Sequence, residues 1–488
     1  MRVLIVGGGS AGWIVAARLE FALNRGGKQT VEIAVLESPD IGRIGVGEAT
    51  IPSIHRTLHG VDIDETTFMR GCAASYKMGI RFDDWSTVGA AYWHPFFRFQ
   101  SSEVQGAAGA WLNSDGSVPF ADLVSPQPKL AEAGRAPRRP DESPNNDRHY
   151  AYHLDAELFA DTLRGLAMAR GVKHIQETVV AVEKDPHGIH AVRTASGGFE
   201  HADLFVDCTG FRRLLIGACG AKHTDWSDWL LCDRAATMRV PDPSEPRPYT
   251  VARAADAGWM WDIGLQGRRG RGYVYSSAFA SEAQAEEALR RTELTGGDAQ
   301  VRHLQFSVGR LEAPWIGNCV AIGLASGFVE PLESTGLHLA DFATEMLIEF
   351  FPHGGSNPAL ARRFNHIVGQ AFDETLDFLN LHYVLSRRRD TDFWRAATAT
   401  ERAAPGVRDL LERWESKPPT VFDFTSATQL WSHQNYEFIL FGMGWRPRAL
   451  GEKPNTRISP PREVDMAVSA GLRTLPSHAE ALSFASSD

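Results

Sequence analysis

The chain has 488 residues, 43% of them hydrophobic and 23% charged, and a net charge of −10. This is an ordinary globular balance, long enough for two or more joined domains. The acidic balance, with no long basic run, excludes nucleic acid as the main partner, and no apolar stretch reaches the length of a membrane span.

Five cysteines (Cys72, Cys208, Cys219, Cys232, Cys319) are scattered with no C-x-x-C spacing. They point to neither a disulfide framework nor a zinc site, and no metal is expected. The first strand starts at residue 2, so no secretory signal is expected and the chain reads as soluble and cytoplasmic. The 13 tryptophans and 26 phenylalanines serve packing or line a pocket for a flat ligand.

In chain order, Val3 to Val6 form a short apolar run of the kind a buried parallel strand needs. Gly7, Gly9 and Gly12 follow with G-x-G-x-x-G spacing, and a helical pattern starts at Trp13. The first glycine permits the tight turn, the second lets a diphosphate approach the backbone, and the third lets helix and strand pack closely. A second strand ends at Glu37, the place for a carboxylate that grips a ribose 2′-OH. This is a dinucleotide-binding unit, with the phosphates at a helix N-terminus.

Residues 101–148, rich in Gly, Ser, Pro and Asn, read as a long surface loop, either a lid or partly disordered. Residues 153–171 read as a helix. Strands follow near Thr178–Val182, His190–Thr194 and Leu204–Asp207. Residues 225–310 read as a second sheet, and residues 319–323 as a further buried strand ending in glycine. A helical pattern begins near residue 335, and residues 340–488 are mostly helical with a disordered tip. Glycines end three separated strands (Gly7 to Gly12, Gly210, Gly323 to Gly327), and such ends converge on one ligand in a doubly wound sheet. There is no second strand-plus-G-x-G-x-x-G unit, hence no evident NAD(P)H site.

Several segments carry more than their local pattern. Gly7-Gly8-Gly9-Ser10-Ala11-Gly12-Trp13 is similar to an FAD fingerprint, and Gly45 to Pro52 to a segment over the flavin. Ser75-Tyr76-Lys77-Met78-Gly79-Ile80 resembles a segment with a catalytic lysine, and Glu330-Pro331-Leu332-Glu333-Ser334-Thr335-Gly336 one with a catalytic glutamate and a halide site. Gly258-Trp259-Met260-Trp261-Asp262-Ile263 resembles a W-x-W-x-I-P signature. Together, over roughly residues 1–450, the chain resembles the flavin-dependent halogenases of the tryptophan halogenase type.

The resemblance implies an α/β fold: an FAD-binding Rossmann-like domain of the single-component monooxygenase type, a second mixed sheet, and a mostly helical C-terminal substrate region. The corresponding division is 1–100 (FAD part with the lysine), 101–150 (loop or lid), 151–225 (FAD part continued), 226–315 (second sheet), 316–345 (FAD and halide segment) and 346–488 (substrate region). It implies FAD, used as FADH2 from a separate flavin reductase, with O2 and chloride or bromide. Hypohalous acid passes through a tunnel to Lys77, and an electron-rich arene (tryptophan, indole or an indole derivative) is halogenated with Glu333 assisting. A homodimer is compatible with this. The cofactor-binding residues are then Gly7, Gly9, Ser10, Ala11, Gly12, Glu37, Gly47, Glu48, Ala49, Gly210, Gly323 and Gly327. Thr335 and Gly336 hold the halide, and His94, Phe96, Trp259, Trp261, Pro331 and Ser334 line the substrate site or tunnel.

Each residue also has an ordinary reading. Lys77 as a solvated lysine would be commonplace, but its apolar neighbours make a lone charge costly. Glu333 could cap a helix, Trp259 and Trp261 could be core indoles on one strand face, and His94 could be a buried, hydrogen-bonded imidazole. The C-terminal region offers Trp431, Asn435, Tyr436, Glu437 and Phe438 to a substrate. Gly264 replaces the signature's proline, which relaxes φ and restores an N–H. That predicts more loosely held tryptophans and a site better suited to bromide, the more easily oxidised halide. A flavin-dependent aromatic monooxygenase and a non-catalytic FAD-binding protein are the alternatives; neither requires Lys77, Glu333 and the paired tryptophans.

Overall fold

A computed structural model describes residues 1–24, 30–42, 47–139, 149–186, 188–242, 244–292, 299–355, 357–424, 426, 429–451 and 454–486. Gly45, Val46, Pro140 to Pro144 and the last two residues, on which sequence expectations fell, lie outside them.

The N-terminal apolar run forms strand Arg2–Val6, whose Val3, Leu4 and Ile5 are fully buried. It pairs in parallel with Glu32–Glu37 on one side and Leu204–Asp207 on the other. Cys319–Ala321 and Lys173–Gln176 extend this parallel sheet, and Trp315–Ile316 closes one edge antiparallel. Helix Ser10–Leu23 follows the first strand and packs against helices Ala156–Ala169 and Gly336–Glu349. A buried ion pair from Arg18 to Asp341 (2.7 Å) ties the first helix to the third of these. The segment after Glu333 is thereby fixed to the nucleotide-binding end of the sheet.

The second sheet has seven strands, in the order Val301–Gln305, Arg234–Pro241, Arg268–Tyr275, Gly258–Leu265, Thr250–Ala255, Gly79–Asp83 and Ala91–Pro95. Two of its strands therefore come from before residue 100, joined through a parallel pairing of Ile80 with Thr250. A third, small sheet sets Ala151–Asp155 between Gly47–Ala49 and Ser75–Lys77. Lys77 thus stands at the corner where the chain leaves this sheet for the large one.

Two sequence expectations need correction. Residues 101–139 are not a loop: they form short helices Ser102–Gln105, Ala107–Leu112, Phe120–Val124 and Gln127–Glu132. Trp111, Phe120, Leu123 and Val124 are buried there, so scattered apolar residues outweigh the Gly/Pro content. The helix expected from residue 153 begins at Ala156, because the Asp155 carboxylate caps it by accepting from the Glu157 and Leu158 N–H groups. His153 belongs instead to a strand buried between two others. Strand Lys173–Gln176, short and half polar, was not anticipated. No described helix is long and apolar enough to cross a membrane, and no group of metal-ligating side chains occurs among the described residues.

Candidate active site

The glycines after the first strand make a cradle. Gly7 has φ +114°, and a Cβ there would meet the Cys208 carbonyl at 2.3 Å. Gly12 approaches the Gly7 carbonyl so closely that a Cβ would lie 1.9 Å from it. At Gly9, the helix N-cap, a Cβ would meet nothing within 4 Å, and no side chain caps the helix. The first and third glycines are consumed by packing while the second faces open space beside free helix N–H groups, an arrangement that suits a diphosphate. Glu37 ends the second strand next to Gly8, with its Oε2 3.2 Å from His174 Nε2.

Gly210 (φ +66°) borders open space, and Gly323 (φ +70°) packs on Ala11. Gly327 does not face the cradle: it pairs with Arg310, and a Cβ there would strike the Gly309 carbonyl at 2.8 Å. Ser10 Oγ donates to the Ala156 carbonyl. Gly47, Glu48 and Ala49 form the strand paired with Ala151–Asp155.

Lys77 is fully buried. Its Nζ donates to the Thr50 carbonyl and to Ser334 Oγ, both at 2.9 Å, and lies 5.1 Å from the centre of the Phe96 ring. Burial lowers its pKa to about 7, although nearby Glu333 pulls the other way. Ser334 adopts the left-handed region (φ +61°) immediately after the turn Pro331–Glu333, so one tight bend presents both Glu333 and the hydroxyl that meets Lys77.

Glu333 is fully buried and does not cap the helix. Its carboxylate lies between two imidazoles: His94 Nδ1 at 3.0 Å and His382 Nε2 at 3.0 Å. The protons can be assigned. Asn435 Oδ1 accepts from Ser432, so Asn435 Nδ2 donates to His94 Nε2 and the His94 Nδ1–H donates to Glu333. His382 has acceptors on both sides, the Phe378 carbonyl at Nδ1 and Glu333 at Nε2. His382 thus bridges the Phe378 carbonyl and the Glu333 carboxylate. Burial pushes the Glu333 carboxyl up, but His94 and His382 outweigh it and hold it down at about 2. His382, on the long helix Pro358–Val384, was missed from the sequence. Its only signal was a histidine on an otherwise apolar face.

Helix Gly336–Glu349 starts just beyond, with Thr335 at its N-cap making no side-chain cap. Thr335 is buried, its Oγ1 has no partner among the described residues, and a Cβ at Gly336 would meet none of them within 4 Å. Unsatisfied donors at a helix N-terminus suit an anion.

A cavity of about 530 Å³ opens in front of these groups. Its wall includes His94, Phe96, Ile51, Pro52, Trp431 and Asn435. Trp431 is stacked on Phe378 (4.1 Å between centres, 10° between planes). Tyr436, Glu437 and Phe438 do not line the cavity: Glu437 pairs with Arg98, and Tyr436 packs on Phe378 and Phe424. Phe96 is held at its backbone by the Met78 carbonyl and by Gln127 Oε1, so the 101–139 helices support the cavity wall.

The paired tryptophans are firmly held, contrary to the expectation from Gly264. Trp259 Nε1 donates to Glu330 Oε2 (2.9 Å), which also accepts from Tyr383 OH (2.8 Å). Trp261 lies flat over Gly272 on the neighbouring strand, where a Cβ would be 2.0 Å from its ring. Gly264 itself is packed, since a Cβ there would stand 2.8 Å from Pro246. The structural ground for a bromide preference is thereby removed. Burial raises the Glu330 pKa to about 7, against the pull of its donors. Glu330→Leu would strand two buried donors and is expected to lower unfolding free energy by about 2–5 kcal/mol, whereas Glu330→Gln keeps an acceptor and costs about 1 kcal/mol. Denaturant unfolding of the two variants checks this.

The tryptophan halogenase family model matches residues 2–457. The chain belongs to the tryptophan halogenase family. Tryptophan 7-halogenase RebH of Lentzea aerocolonigenes is 38% identical over 485 residues, covering 92% of this chain and 90% of RebH. Among solved structures, Tar14, a tryptophan C-6 flavin-dependent halogenase (chlorinase) from taromycin biosynthesis, superposes with TM-score 0.91 at 34% identity, covering all of both chains. The tryptophan 6-halogenase SttH of Streptomyces toxytricini gives TM-score 0.89 at 36% identity, with 99% of each chain covered. The protein is a flavin-dependent halogenase with the FAD-binding Rossmann-type fold of its relatives. As a member of this family it uses reduced flavin, O2 and a halide.

Proposed function

We propose that this enzyme halogenates the indole ring of tryptophan or a close indole relative, using FADH2 delivered by a separate flavin reductase and chloride or bromide. The observation that carries the reading is the position of Lys77 and Glu333 directly behind the aromatic wall of the cavity. Lys77 lies against Phe96, and Glu333 is bonded to His94, while both rings face the cavity. The relatives named for tryptophan halogenation support the substrate class.

The glycine cradle, Glu37 and the Gly47–Ala49 strand would hold FAD. When bound and reduced it supplies, with O2, the oxidation of halide to hypohalous acid. Thr335 and the N–H groups from Gly336 would hold the halide. Trp259, tied to Glu330, and Trp261, packed on Gly272, would screen the arene from the flavin. The Lys77 ammonium hydrogen-bonds the oxygen of hypohalous acid. The arene carbon attacks the halogen, the oxygen–halogen bond breaks, and the departing hydroxide takes the Lys77 proton and leaves as water. The ring C–H proton goes to Glu333, whose carboxylate also stabilises the cationic ring before that transfer. The net change is arene plus hypohalous acid to haloarene plus water.

With Lys77 titrating at about 7, the ammonium is lost as pH rises through that value. Single-turnover halogenation, with preformed FADH2, is expected to fall over the same range. A rise instead would identify the neutral amine as the halogen carrier. To test the substrate class, equimolar tryptophan and indole are offered with reductase, NADH and bromide. Bromotryptophan is expected to dominate; a hydroxylated arene as the main product would overturn the reading.

A further inference from the structure

The family match ends at residue 457, yet the chain beyond it reaches back to the lysine. Among the described residues, strand Ser75–Lys77 pairs with Ala151–Asp155 on one edge only. Edge N–H groups need other acceptors when buried. At Tyr76 the acceptor is His478 Nε2, at 3.0 Å, from a residue 402 positions away. His478 is fully buried, and its Nδ1–H donates to the Pro246 carbonyl at 2.7 Å. With a carbonyl at Nδ1, the imidazole must be the tautomer that accepts at Nε2, so it is a defined link and not merely a filler.

Pro246 in turn is seated on Gly264, where a Cβ would lie 2.8 Å from the Pro246 Cβ and 3.1 Å from its Cα. The Gly264 carbonyl accepts from Ser75 Oγ at 2.7 Å. The contacts close a ring: Ser75, Tyr76, His478, Pro246, Gly264 and back to Ser75. The tail is anchored on both sides of His478. The Pro476 carbonyl accepts from Ala136 N, His478 N donates to the Gly134 carbonyl, and Ala479 N donates to Glu245 Oε1.

We propose that His478 is a positioning residue for Lys77, acting with Pro246 and Gly264 as a brace that fixes the strand carrying the lysine. The glycine in place of the signature proline is then not a loosening: it is the space that Pro246 needs to hand its carbonyl to His478. The proposal rests on the reading of Lys77 as catalytic. A brace of this kind matters because a misplacement of about 1 Å at a reacting group costs up to about a hundredfold in rate.

The test uses the full-length enzyme with FAD, reductase, NADH, bromide and tryptophan. His478→Ala is expected to keep FAD affinity and oxygen uptake near wild type, and to lose about tenfold or more in bromotryptophan formed per NADH. Free hypobromite, trapped by a dione scavenger, rises correspondingly. His478→Gln, whose amide can accept from Tyr76 and donate to Pro246, restores most of the coupling. Gly264→Ala, which pushes on Pro246, reproduces the loss from the other side of the ring. Wild-type coupling in both His478→Ala and Gly264→Ala would overturn the proposal. So would a loss of FAD binding in step with product in both, since that marks a general scaffold defect. Lys77→Ala is measured alongside: if it still halogenates, the reading of Lys77 fails and not the brace alone.

Discussion

Replacing Lys77 with methionine is expected to cut arene halogenation by about a hundredfold to ten-thousandfold while FADH2 oxidation continues. Methionine approximates the length of the lysine stem, so the fully buried site is not emptied. What disappears is the cation beside the Phe96 wall that bonds the Thr50 carbonyl and Ser334. On the proposed mechanism, halide oxidation is the flavin's chemistry and should not need the amine. The loss therefore belongs in product per NADH, with hypohalite or peroxide accumulating, and not in flavin affinity. Thermal unfolding should not fall much, because a buried ammonium is itself costly to keep. Lys77→Met retaining more than a small fraction of wild-type coupling would remove the lysine from the chemistry.

Glu333→Gln has the second-largest expected effect, about a hundredfold to a thousandfold in product formation. The isosteric amide can still accept from the His94 Nδ1–H and can donate to His382 Nε2, so the cavity wall keeps its hydrogen bonds. It cannot take the ring proton, and it does not place a negative charge beside the cationic ring. A slower ring-deprotonation step should expose itself as a deuterium isotope effect with ring-deuterated tryptophan that is larger in the variant than in the wild type. An unchanged rate would leave Glu333 a structural anchor for His94 and His382.

Much of this site can be read from local sequence, because its chemistry sits where the backbone is constrained. Gly7, Gly9 and Gly12 divide packing from open space within six residues, and that division is a local property. Lys77 stands among apolar neighbours (Tyr76, Met78, Ile80) that already predict burial, whereas Glu333 is marked by the family resemblance and otherwise reads as a helix cap. What escaped the reading is long-range. His382 and His478 are single histidines on apolar faces, and their meaning comes from partners 49 and 402 residues away. Glu330, three residues before Glu333, reads as one more acid until the fold brings Trp259 and Tyr383 to it. Gly264 looked like a loss of rigidity because a glycine's freedom is visible in sequence while the proline packed against it is not. The same blindness to tertiary burial turned the 101–139 helices into a loop and confined the second sheet to residues after 225, although Gly79–Asp83 and Ala91–Pro95 complete it.

The most direct test is mass spectrometry of the products formed from tryptophan and indole with FAD, a flavin reductase, NADH, O2 and bromide, by wild type and Lys77→Met side by side. The wild type is expected to form a monobrominated indole ring, marked by the bromine isotope doublet, and the variant almost none at matched NADH consumption. An oxygenated arene, or the same brominated product from both proteins, would rule out Lys77-dependent halogenation.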